Sequence, residues 1–227
     1  MSTTTASRID ETGRAPRAGA APDPMAQAIL RSGPAAWHVA YELGEAKGLE
    51  RALAERFIAQ VYRRNFRAHV DAFMPRLLVL RDEAGAIRGA LGLRGASGRL
   101  FIERYLDVPI EQAIGTVAGE PVARESIVEV GHFSGLVPGT MRHLIVLLAE
   151  RLHREGAEWV VFAGTRALRN TFRRMHLHPI RVASASPERL SPTERAAWGT
   201  YYDQDPSVYV GRVRVGIDTI QKRGSGP

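Results

Sequence analysis

The side chains best able to do chemistry lie in one short stretch, where a carboxylate and an imidazole stand three positions apart. Glu129 and His132 belong to Ile127–Phe133, a segment dominated by β-branched and apolar residues. This pattern predicts a strand buried on both faces, where a carboxylate is costly unless it is paired. Glu129 is the first candidate to bind an ammonium group or to take its proton. The structural alternative is a carboxylate bonded to Arg104, Arg124 or backbone groups.

A regular strand would turn these two side chains to opposite faces, because residues three apart in a strand point in opposite directions. A β-bulge between Glu129 and His132 would bring both to the same side, and bulges are common beside active sites. A catalytic His132 therefore requires a bulge. The alternative is a half-buried histidine whose hydrogen bonds are satisfied by its surroundings.

A turn rich in glycine and proline follows the strand and leads into a helix. Apolar residues recur at helical spacing from Met141 to Leu152, after the pattern has been broken by Gly135, Pro138 and Gly139. The first N–H groups of a helix have no partner within the helix, so they form an anion site beyond the strand end. The residues expected at this site are Phe133, Ser134, Gly135, Gly139, Thr140 and Arg142.

A second strand followed by a second helix is predicted next in the sequence. Trp159–Ala163 predicts a second buried strand and Thr165–Leu177 a second helix, so the two strands are expected to be parallel. Ligands of open α/β sheets bind in the crevice outside the carboxyl ends of such strands. Arg166, Arg169 and Arg173 share one face of the second helix, at spacings i, i+3 and i+7. This face predicts binding of phosphates or of an acidic carrier protein, and an ordinary solvated surface is the alternative.

Two more side chains are candidates for the same cleft. Glu103 belongs to Leu100–Leu106, which predicts a strand with Phe101 and Tyr105 on the same face. Tyr201 or its neighbour Tyr202 would supply the proton that converts the departing thiolate to a thiol. Strand pairing is the structural alternative for Glu103, and an aromatic lid over the core is the alternative for Tyr201. The chain has no cysteine, which excludes thiolate metal sites and a cysteine nucleophile, and no metal site is predicted.

The elements that position these residues follow from the periodicity of the rest of the chain. Pro75–Arg81 and Ile87–Arg94 flank the turn-like segment Asp82–Gly85, so an antiparallel hairpin is predicted. Gly89 and Gly92 leave room for another group close to its second strand. The other predicted elements are a strand at Trp37–Leu43, a helix with an apolar ladder of Leu49, Leu53, Phe57, Ile58, Val61 and Tyr62, a short helix at Pro109–Ile114, a strand at Pro179–Ala183, a helix at Pro192–Tyr202 and a strand at Val208–Val215.

Composition limits the partners. The net charge is +7, and every cationic side chain other than Lys47 and Lys222 is an arginine, a bias also typical of a GC-rich genome. A basic surface favours phosphates, an acidic protein or peripheral contact with a membrane face. Nucleic acid is not expected, because no basic stretch is interleaved with stacking aromatic residues. No apolar run reaches transmembrane length.

The length of 227 residues predicts one folded domain at residues 34–218. Residues 1–33 mix small and polar residues with scattered charges, which predicts a disordered N-terminal tail without a secretion signal. Residues 219–227 are expected to form a flexible C-terminal tail. A cytoplasmic location is expected from these features and from the lack of cysteine.

The order of predicted elements resembles the GNAT acyltransferase fold, in which a hairpin precedes a strand–turn–helix–strand–helix core. Five sequence blocks are similar, in the same order, to the thermostable hemolysin family: FMPRLLVLRD, LFIERYLDVPIEQAI, IVEVGHFSG, EWVVFAGTRALRNTFRRMHLHPI and WGTYYDQDP. The resemblance extends from about Trp37 to Gly211.

The resemblance implies an α/β fold with a mixed, mainly antiparallel central sheet, one parallel strand pair and helices on both faces. It also implies an acyltransferase that moves an acyl group from acyl-CoA, or from the phosphopantetheine of an acyl carrier protein, to a small amine, with no permanently bound cofactor. Members of the family are similar in fold to acyl-homoserine-lactone synthases, which use acyl carrier proteins. A membrane-active protein, as the family name implies, and a non-catalytic binding module are the alternatives.

One departure from the GNAT pattern bears on the donor. The pyrophosphate loop of that fold usually reads Arg/Gln-x-x-Gly-x-Gly/Ala, whereas Gly135–Thr140 reads GLVPGT. Pro138 removes one amide donor from the loop. The departure favours a carrier-borne or long-chain acyl donor over acetyl-CoA.

Overall fold

The computed structural model describes residues 40–136 and 139–224. Within these residues the strands are β1 (Glu42–Glu45), β2 (Arg76–Arg81), β3 (Ile87–Gly95), β4 (Ile127–Gly135), β5 (Trp159–Gly164), β6 (Ile180–Ser184) and β7 (Ser207–Arg212). They form one sheet in the order β1-β2-β3-β4-β5-β7-β6. β4 and β5 run parallel, and the other neighbouring strands of this sheet run antiparallel. The predicted mixed, mainly antiparallel sheet is confirmed.

Helices cover both faces of the sheet. They are α1 (Leu49–Phe66), α2 (Ile110–Ala118), α3 (Thr140–Arg154), α4 (Arg166–Arg174), α5 (Pro192–Ala197) and α6 (Val213–Gly224), with 3-10 turns at Ile102–Tyr105, Arg124–Ser126, Pro187–Arg189 and Tyr202–Gln204. Alternate side chains of β2 point to opposite faces of the sheet and pack in different core clusters. Leu78 and Leu80 pack in the cluster that contains α3, α4 and α6, whereas Leu77 and Val79 pack in the cluster that contains α1.

The predicted hairpin is present as β2 and β3. Its turn is held by Asp82, whose carboxylate accepts from the backbone N–H groups of Ala84 and Ala86. Gly92 is required where the hairpin meets β4, because a Cβ at this position would lie 2.7 Å from Met74 Cβ and 3.0 Å from His132 Cδ2. The His132 ring therefore occupies part of the space that the absence of a side chain at Gly92 leaves.

The segment Leu100–Leu106 is not a strand, so this prediction was wrong. Ile102–Tyr105 forms a 3-10 turn, and Ile102 and Tyr105 are both buried. Residues three apart lie on one side of a 3-10 helix, whereas a strand would turn them to opposite faces, so this apolar pair fits the turn. The turn is stabilised from outside, because two of its first N–H groups donate to the Glu129 carboxylate.

The C-terminal part also differs from the prediction. β7 ends at Arg212, so the expected strand to Val215 was wrong beyond this residue, and α6 continues to Gly224, past the expected tail boundary at residue 219. Val213, Ile217 and Ile220 are buried at helical spacing in the core cluster of α3. The period-2 pattern of the strand therefore changes to a helical period within the predicted segment.

The N-terminal elements are shifted from their predicted positions. β1 occupies Glu42–Glu45, and residues 37–39 of the predicted strand lie outside the described residues, as do residues 1–33. The apolar ladder of α1 holds at Ile58 and Tyr62, which are buried, but Leu49 and Leu53 are exposed. The predicted helix Pro192–Tyr202 ends at Ala197 and is followed by a 3-10 turn at Tyr202–Gln204.

Glu103 joins the 3-10 turn to the start of α2. Its carboxylate accepts hydrogen bonds from both Nη groups of Arg124, at 2.7 and 2.9 Å, and from the backbone N–H groups of Leu100 and Ile110. Arg124 and these N–H groups lower the pKa of Glu103 to about 2. The carboxylate is 11% exposed, so its charge is well compensated by the protein.

We expect Glu103→Gln to lower the free energy of unfolding at pH 7 by about 1–3 kcal/mol, because a charge-assisted network loses its anion. The folded-state pKa lies below the ordinary value of 4.5, so the wild-type advantage is present above pH 4.5 and is lost as the pH falls towards 2. Urea unfolding at pH 7 and pH 3 measures both effects.

Glu111→Gln is the matched control, because Glu111 makes one contact with Arg124 and is more exposed, at 28%. A smaller loss of stability is expected for this variant. Equal losses in the two variants at every pH would contradict the assignment of the low pKa to Glu103.

Candidate active site

A β-bulge in β4 brings the two candidate catalytic side chains to one face. Gly131 pairs with Gly92 and Ser134 pairs with Ala90, so one residue of β3 lies opposite both His132 and Phe133. His132 adopts a left-handed backbone with φ of 54°. Its side chain therefore lines the same cavity as Glu129, whereas Phe133 packs on the opposite face, against the α3 cluster. The bulge that a shared face for Glu129 and His132 requires is therefore present.

A crevice opens where the two parallel strands diverge. β4 and β5 pair from Ile127–Trp159 to Val130–Phe162, and beyond this point the paired register of the two strands ends. The gap contains a cavity of about 220 Å³. We call it the sheet crevice, and its lining includes Asn65 and Phe66 of α1, Phe133 and Gly135 of β4, and Leu168 and Thr171 of α4. Helices from both faces of the sheet contribute, so the crevice passes between the strands.

A second cavity, of about 310 Å³, lies on the α1 side of the sheet. We call it the aromatic cavity, because its wall contains Tyr62, Phe73, Phe101, Tyr105, Trp198, Tyr201 and Tyr202, together with Arg94, Glu129 and His132. Tyr62, His132, Ala163 and Tyr201 line both this cavity and the sheet crevice. The two cavities are therefore neighbours, and His132 lies at their common wall.

Glu129 is 1% exposed in this wall. Each of its two carboxylate oxygens accepts one hydrogen bond of 3.0 Å, from the backbone N–H groups of Phe101 and Ile102. The Arg94 guanidinium lies 3.7 Å away, and neither Arg104 nor Arg124 is a partner. Burial raises the pKa of Glu129, although the two N–H groups and Arg94 oppose this effect.

Sequence reasoning missed Arg94 as a site residue. Arg94 is directly opposite Glu129 in the β3–β4 register. This pairing joins segments more than thirty positions apart, with a turn and a helix between them. The sequence predicted each strand but carried no signal for their register.

His132 is held among aromatic rings, with ring centroids 5.7 Å from Phe73 and 6.3 Å from Tyr62. Its Nδ1 is buried and makes no hydrogen bond with the described residues. Burial, and then the charge of Arg94, lower the pKa of His132 to about 4. The imidazole is therefore neutral at pH 7, with a lone pair on one ring nitrogen, and its low pKa makes it a weak base.

The other two catalytic candidates have different positions. Tyr201 is 8% exposed and lines both cavities, and burial raises its pKa well above the ordinary value, which keeps the phenol protonated. Glu103 lines neither cavity, and its oxygens are occupied by Arg124 and backbone N–H groups. The structure thus brings Tyr201 together with Glu129 and His132, and it leaves Glu103 outside.

The predicted anion site is only partly assembled within the described residues. Phe133 and Gly135 line the sheet crevice. Gly139 caps α3 in a left-handed conformation, with φ of 89°, and Thr140 begins the helix with its Oγ1 buried and not hydrogen-bonded to the described residues. Pro138, on which the departure from the usual loop depends, lies outside the described residues.

Ser134 and Arg142 do not line the sheet crevice. The Ser134 hydroxyl is fully buried and donates to the His132 carbonyl oxygen at 2.9 Å, so it stabilises the bulge. Arg142 is half-buried in the first turn of α3. The structure therefore gives both residues positions beside the crevice rather than in its wall.

The arginines of α4 lie outside the crevice. Ala167, Leu168 and Thr171 are the residues of this helix in its wall. Arg166, Arg173 and Arg174 are exposed, and Arg169 is half-buried with Nη1 3.5 Å from the Tyr209 hydroxyl. The predicted shared face exists, but it is the outer surface beside the crevice.

A third cavity, of about 180 Å³, lies beneath α6. We call it the apolar cavity, because its wall includes Ile145, Leu148, Leu152, Phe172, Leu177 and Ile220. Phe133 lines both this cavity and the sheet crevice. The Phe133 ring lies 6.1 Å from the Phe162 ring, and Phe162 stacks on Phe172 at 5.1 Å. A wall of phenylalanine rings thus separates the two spaces.

The described residues contain neither a cluster of metal ligands nor a helix suited to span a membrane. Among them, no group of three or more histidine, aspartate or glutamate side chains is placed to bind a metal ion. Among helices in residues 40–136 and 139–224, none has the length and apolar character needed to cross a membrane.

Solved structures with this fold include several acyltransferases. FeeM, an N-acyl amino acid synthase from uncultured soil microbes, matches with a TM-score of 0.55 and 12% identity, over 79% of this chain and 93% of that one. MesI, a CoA-dependent acyl-homoserine lactone synthase, matches with a TM-score of 0.51 and 17% identity, over 83% and 96%. The acyl-homoserine lactone synthase LasI matches with a TM-score of 0.52 and 13% identity, over 79% and 94%. At these identities the likeness shows a shared GNAT-like fold.

No curated protein matches the chain by sequence. A family model does: that of the thermostable hemolysins matches residues 45–217, which include every strand from β2 to β7, both walls of the sheet crevice and the whole aromatic cavity. The chain therefore belongs to the thermostable hemolysin family.

Proposed function

We propose that the protein is an N-acyltransferase that moves an acyl group from a thioester, on acyl-CoA or on an acyl carrier protein, to an amine. The observation that carries the proposal is the junction of two cavities at His132. One cavity passes between the diverging strands and suits an extended thioester arm, and the other contains a buried carboxylate that suits an ammonium group. Synthases that form N-acyl amino acids and acyl-homoserine lactones share the fold, which supports this assignment.

The reaction requires few groups. Glu129 attracts the ammonium form of the acceptor, which first loses one proton through the neutral His132 imidazole to solvent. The amine nitrogen then attacks the thioester carbonyl, a C–N bond forms and the C–S bond breaks. The second proton that the nitrogen loses in this step balances the one that the thiolate gains. His132 and Phe133 face one residue of β3 at the bulge, and we propose that a backbone N–H of this pair binds the developing oxyanion. Tyr201, protonated and in both cavities, donates to the leaving thiolate.

We predict that His132→Asn lowers kcat about 10²- to 10⁴-fold, because the amine loses its base. Asparagine tolerates the left-handed backbone at this position, so the melting temperature should change little. Release of free thiol from octanoyl-CoA, in the presence of an amine acceptor, measures the rate.

Glu129→Gln is the contrasting variant, and it should also lose thermal stability. Its amide NH₂ would face the N–H of Phe101 or Ile102, so one hydrogen bond is replaced by two opposed donors. Full activity in the folded His132→Asn protein would remove His132 from the mechanism and leave Glu129 as the base.

The apolar cavity suits the acyl chain. The Phe133 ring separates it from the sheet crevice, so we propose that this ring turns aside to admit the chain; hydrocarbon groups dominate the cavity wall. Burial of each methylene contributes about 0.8 kcal/mol, so a donor with a long chain would bind more tightly than an acetyl donor. We therefore propose that medium or long acyl chains are preferred.

Gly216 offers a test, because it lies in α6 against the apolar cavity and a Cβ there has no heavy atom within 4 Å. Gly216→Leu should fill the cavity and lower kcat/KM for decanoyl-CoA roughly 50-fold, the equivalent of three excluded methylenes. Activity with butyryl-CoA should change much less, and helix propensity should raise stability.

Gly216→Ala is the matched control. It adds one methyl group and should lower kcat/KM for decanoyl-CoA less than Gly216→Leu does. Equal losses for the short and long donors in the leucine variant would show that the cavity does not hold the chain.

The outer surface of α4 suits an acidic carrier protein. Arg166, Arg173 and Arg174 are exposed beside the sheet crevice, so a carrier docked here would have its phosphopantetheine arm near the crevice mouth. Contacts between exposed charges mainly raise the association rate and weaken with salt. A carrier-borne donor and a cytoplasmic location are parts of the same proposal.

We predict that Arg166→Glu with Arg173→Glu lowers kcat/KM for octanoyl-acyl carrier protein more than tenfold at 20 mM salt, and much less at 500 mM. Octanoyl-pantetheine should be used as well as before. Arg169 is left intact because it contacts Tyr209.

The control is Arg56→Glu with Arg99→Glu, which changes the charge equally at exposed positions on other elements. Equal losses for the carrier-borne and pantetheine donors would assign the α4 arginines to the fold or to the thioester site. Equal losses in the two double variants would indicate general charge steering instead of docking.

The family name suggests lysis of red cells, and the proposed reaction accounts for it. An amine that carries a long acyl chain is amphiphilic, so lysis would follow from the product. Direct membrane action is the competing function. Lysis that persists in the His132→Asn protein, without acyl donor, would favour direct action.

A further inference from the structure

We infer that the amine acceptor carries a carboxylate beside its amino group, as an α-amino acid does, and that Arg94 binds this carboxylate. The inference rests on the proposed acyl transfer and names the class of acceptor. The protein leaves the hydrogen-bonding capacity of the Arg94 guanidinium largely unused.

Arg94 lies in the wall of the aromatic cavity with its side chain 32% exposed. Its guanidinium makes no hydrogen bond with the described residues, and its ionic contact with them is the 3.7 Å approach to Glu129. Arg124, which is 24% exposed, shows the contrasting case: it bonds to Glu103, Glu111 and two backbone carbonyl groups. A half-buried guanidinium with five donors and one long contact is poised to bind a planar anion.

The neighbouring anion has complementary capacity. Each oxygen of Glu129 accepts one backbone N–H, which leaves a second lone pair on each oxygen for a further donor. A cation and an anion thus lie 3.7 Å apart in one cavity wall, beside His132. This arrangement matches a zwitterion, with its carboxylate at Arg94 and its ammonium at Glu129.

The remainder of the cavity wall indicates which side chain the acceptor carries. Phe73, Phe101, Trp198 and Tyr202 supply ring surface, and Trp198 packs against Phe101 with centroids 6.1 Å apart. His69, Asp71 and Glu194 also line the cavity. Glu194 is bonded to Arg104 and caps α5. Ring surface makes up much of the remaining wall, and it suits an aromatic side chain.

The experiment compares acceptors that differ only in the carboxylate. Phenylalanine, tyrosine and tryptophan are each matched with phenethylamine, tyramine and tryptamine, and thiol release from octanoyl-CoA is measured. The wild-type protein should use at least one amino acid with kcat/KM roughly 10- to 100-fold above its matched amine. Arg94→Met should abolish this preference, mainly through KM for the amino acid.

Arg88→Met is the matched control on the same strand, since Arg88 pairs with Asp82 and does not line the aromatic cavity. It should keep the preference for the amino acid. Arg94→Lys retains the charge but not the planar fork, so an intermediate preference is expected. This variant also keeps a cation beside Glu129, which protects the test against misfolding of the methionine variant.

Binding without turnover separates this inference from the proposed function. The amino acid, and not its matched amine, should raise the melting temperature of the wild-type and Arg88→Met proteins, and Arg94→Met should lose the effect. Equal use of amines and amino acids would overturn the inference while acyl transfer stands. An Arg94-dependent melting shift without thiol release would support the acceptor site and overturn acyl transfer. Neither shift nor release with any of the six acceptors would overturn both.

Discussion

The bulge in β4 is the constraint on which the site depends. One extra residue turns His132 to the face of Glu129 and sends Phe133 to the opposite face. His132 keeps this position at the cost of a left-handed backbone, and Ser134 compensates with a hydrogen bond to its carbonyl oxygen. Gly92 makes the arrangement possible, because any side chain there would collide with the imidazole or with Met74. The three cavities are therefore arranged around two consecutive residues of one strand.

Glu129 has a structural role that is compatible with chemistry. Its carboxylate fixes the start of the 3-10 turn at Ile102–Tyr105, which supplies one wall of the aromatic cavity. The same hydrogen bonds offset much of the cost of burying a charge. Because each oxygen keeps capacity for another donor, the group that organises the cavity can also attract an ammonium ligand. Structural and functional explanations of this buried carboxylate therefore do not exclude each other.

The protein compensates the charges of the Glu103 and Glu129 carboxylates to different extents. Glu103 is saturated by Arg124 and by backbone N–H groups, and its pKa falls to about 2. Glu129 has a raised pKa because burial outweighs its two backbone hydrogen bonds and the charge of Arg94. The first carboxylate is fully compensated by the protein, and the second is not. Incomplete compensation inside a cavity is typical of a binding site, whereas saturation is typical of a structural contact.

The sequence by itself determined the elements whose signal is local. The periodicity of β4 with α3 and of β5 with α4 and the turn at Asp82–Gly85 depend on neighbouring residues, and the structure confirms them. From the sequence, a bulge at His132 follows only as the condition for a shared face with Glu129, and the structure contains it. Only the tertiary structure decided that Arg94 lies opposite Glu129, since strand register depends on residues far apart in the chain. It also decided that Leu100–Leu106 is a turn, because its first N–H groups are bonded by a residue of another strand. Helical spacing placed the arginines of α4 on one face, but which face meets the crevice depends on how the helix packs on the sheet.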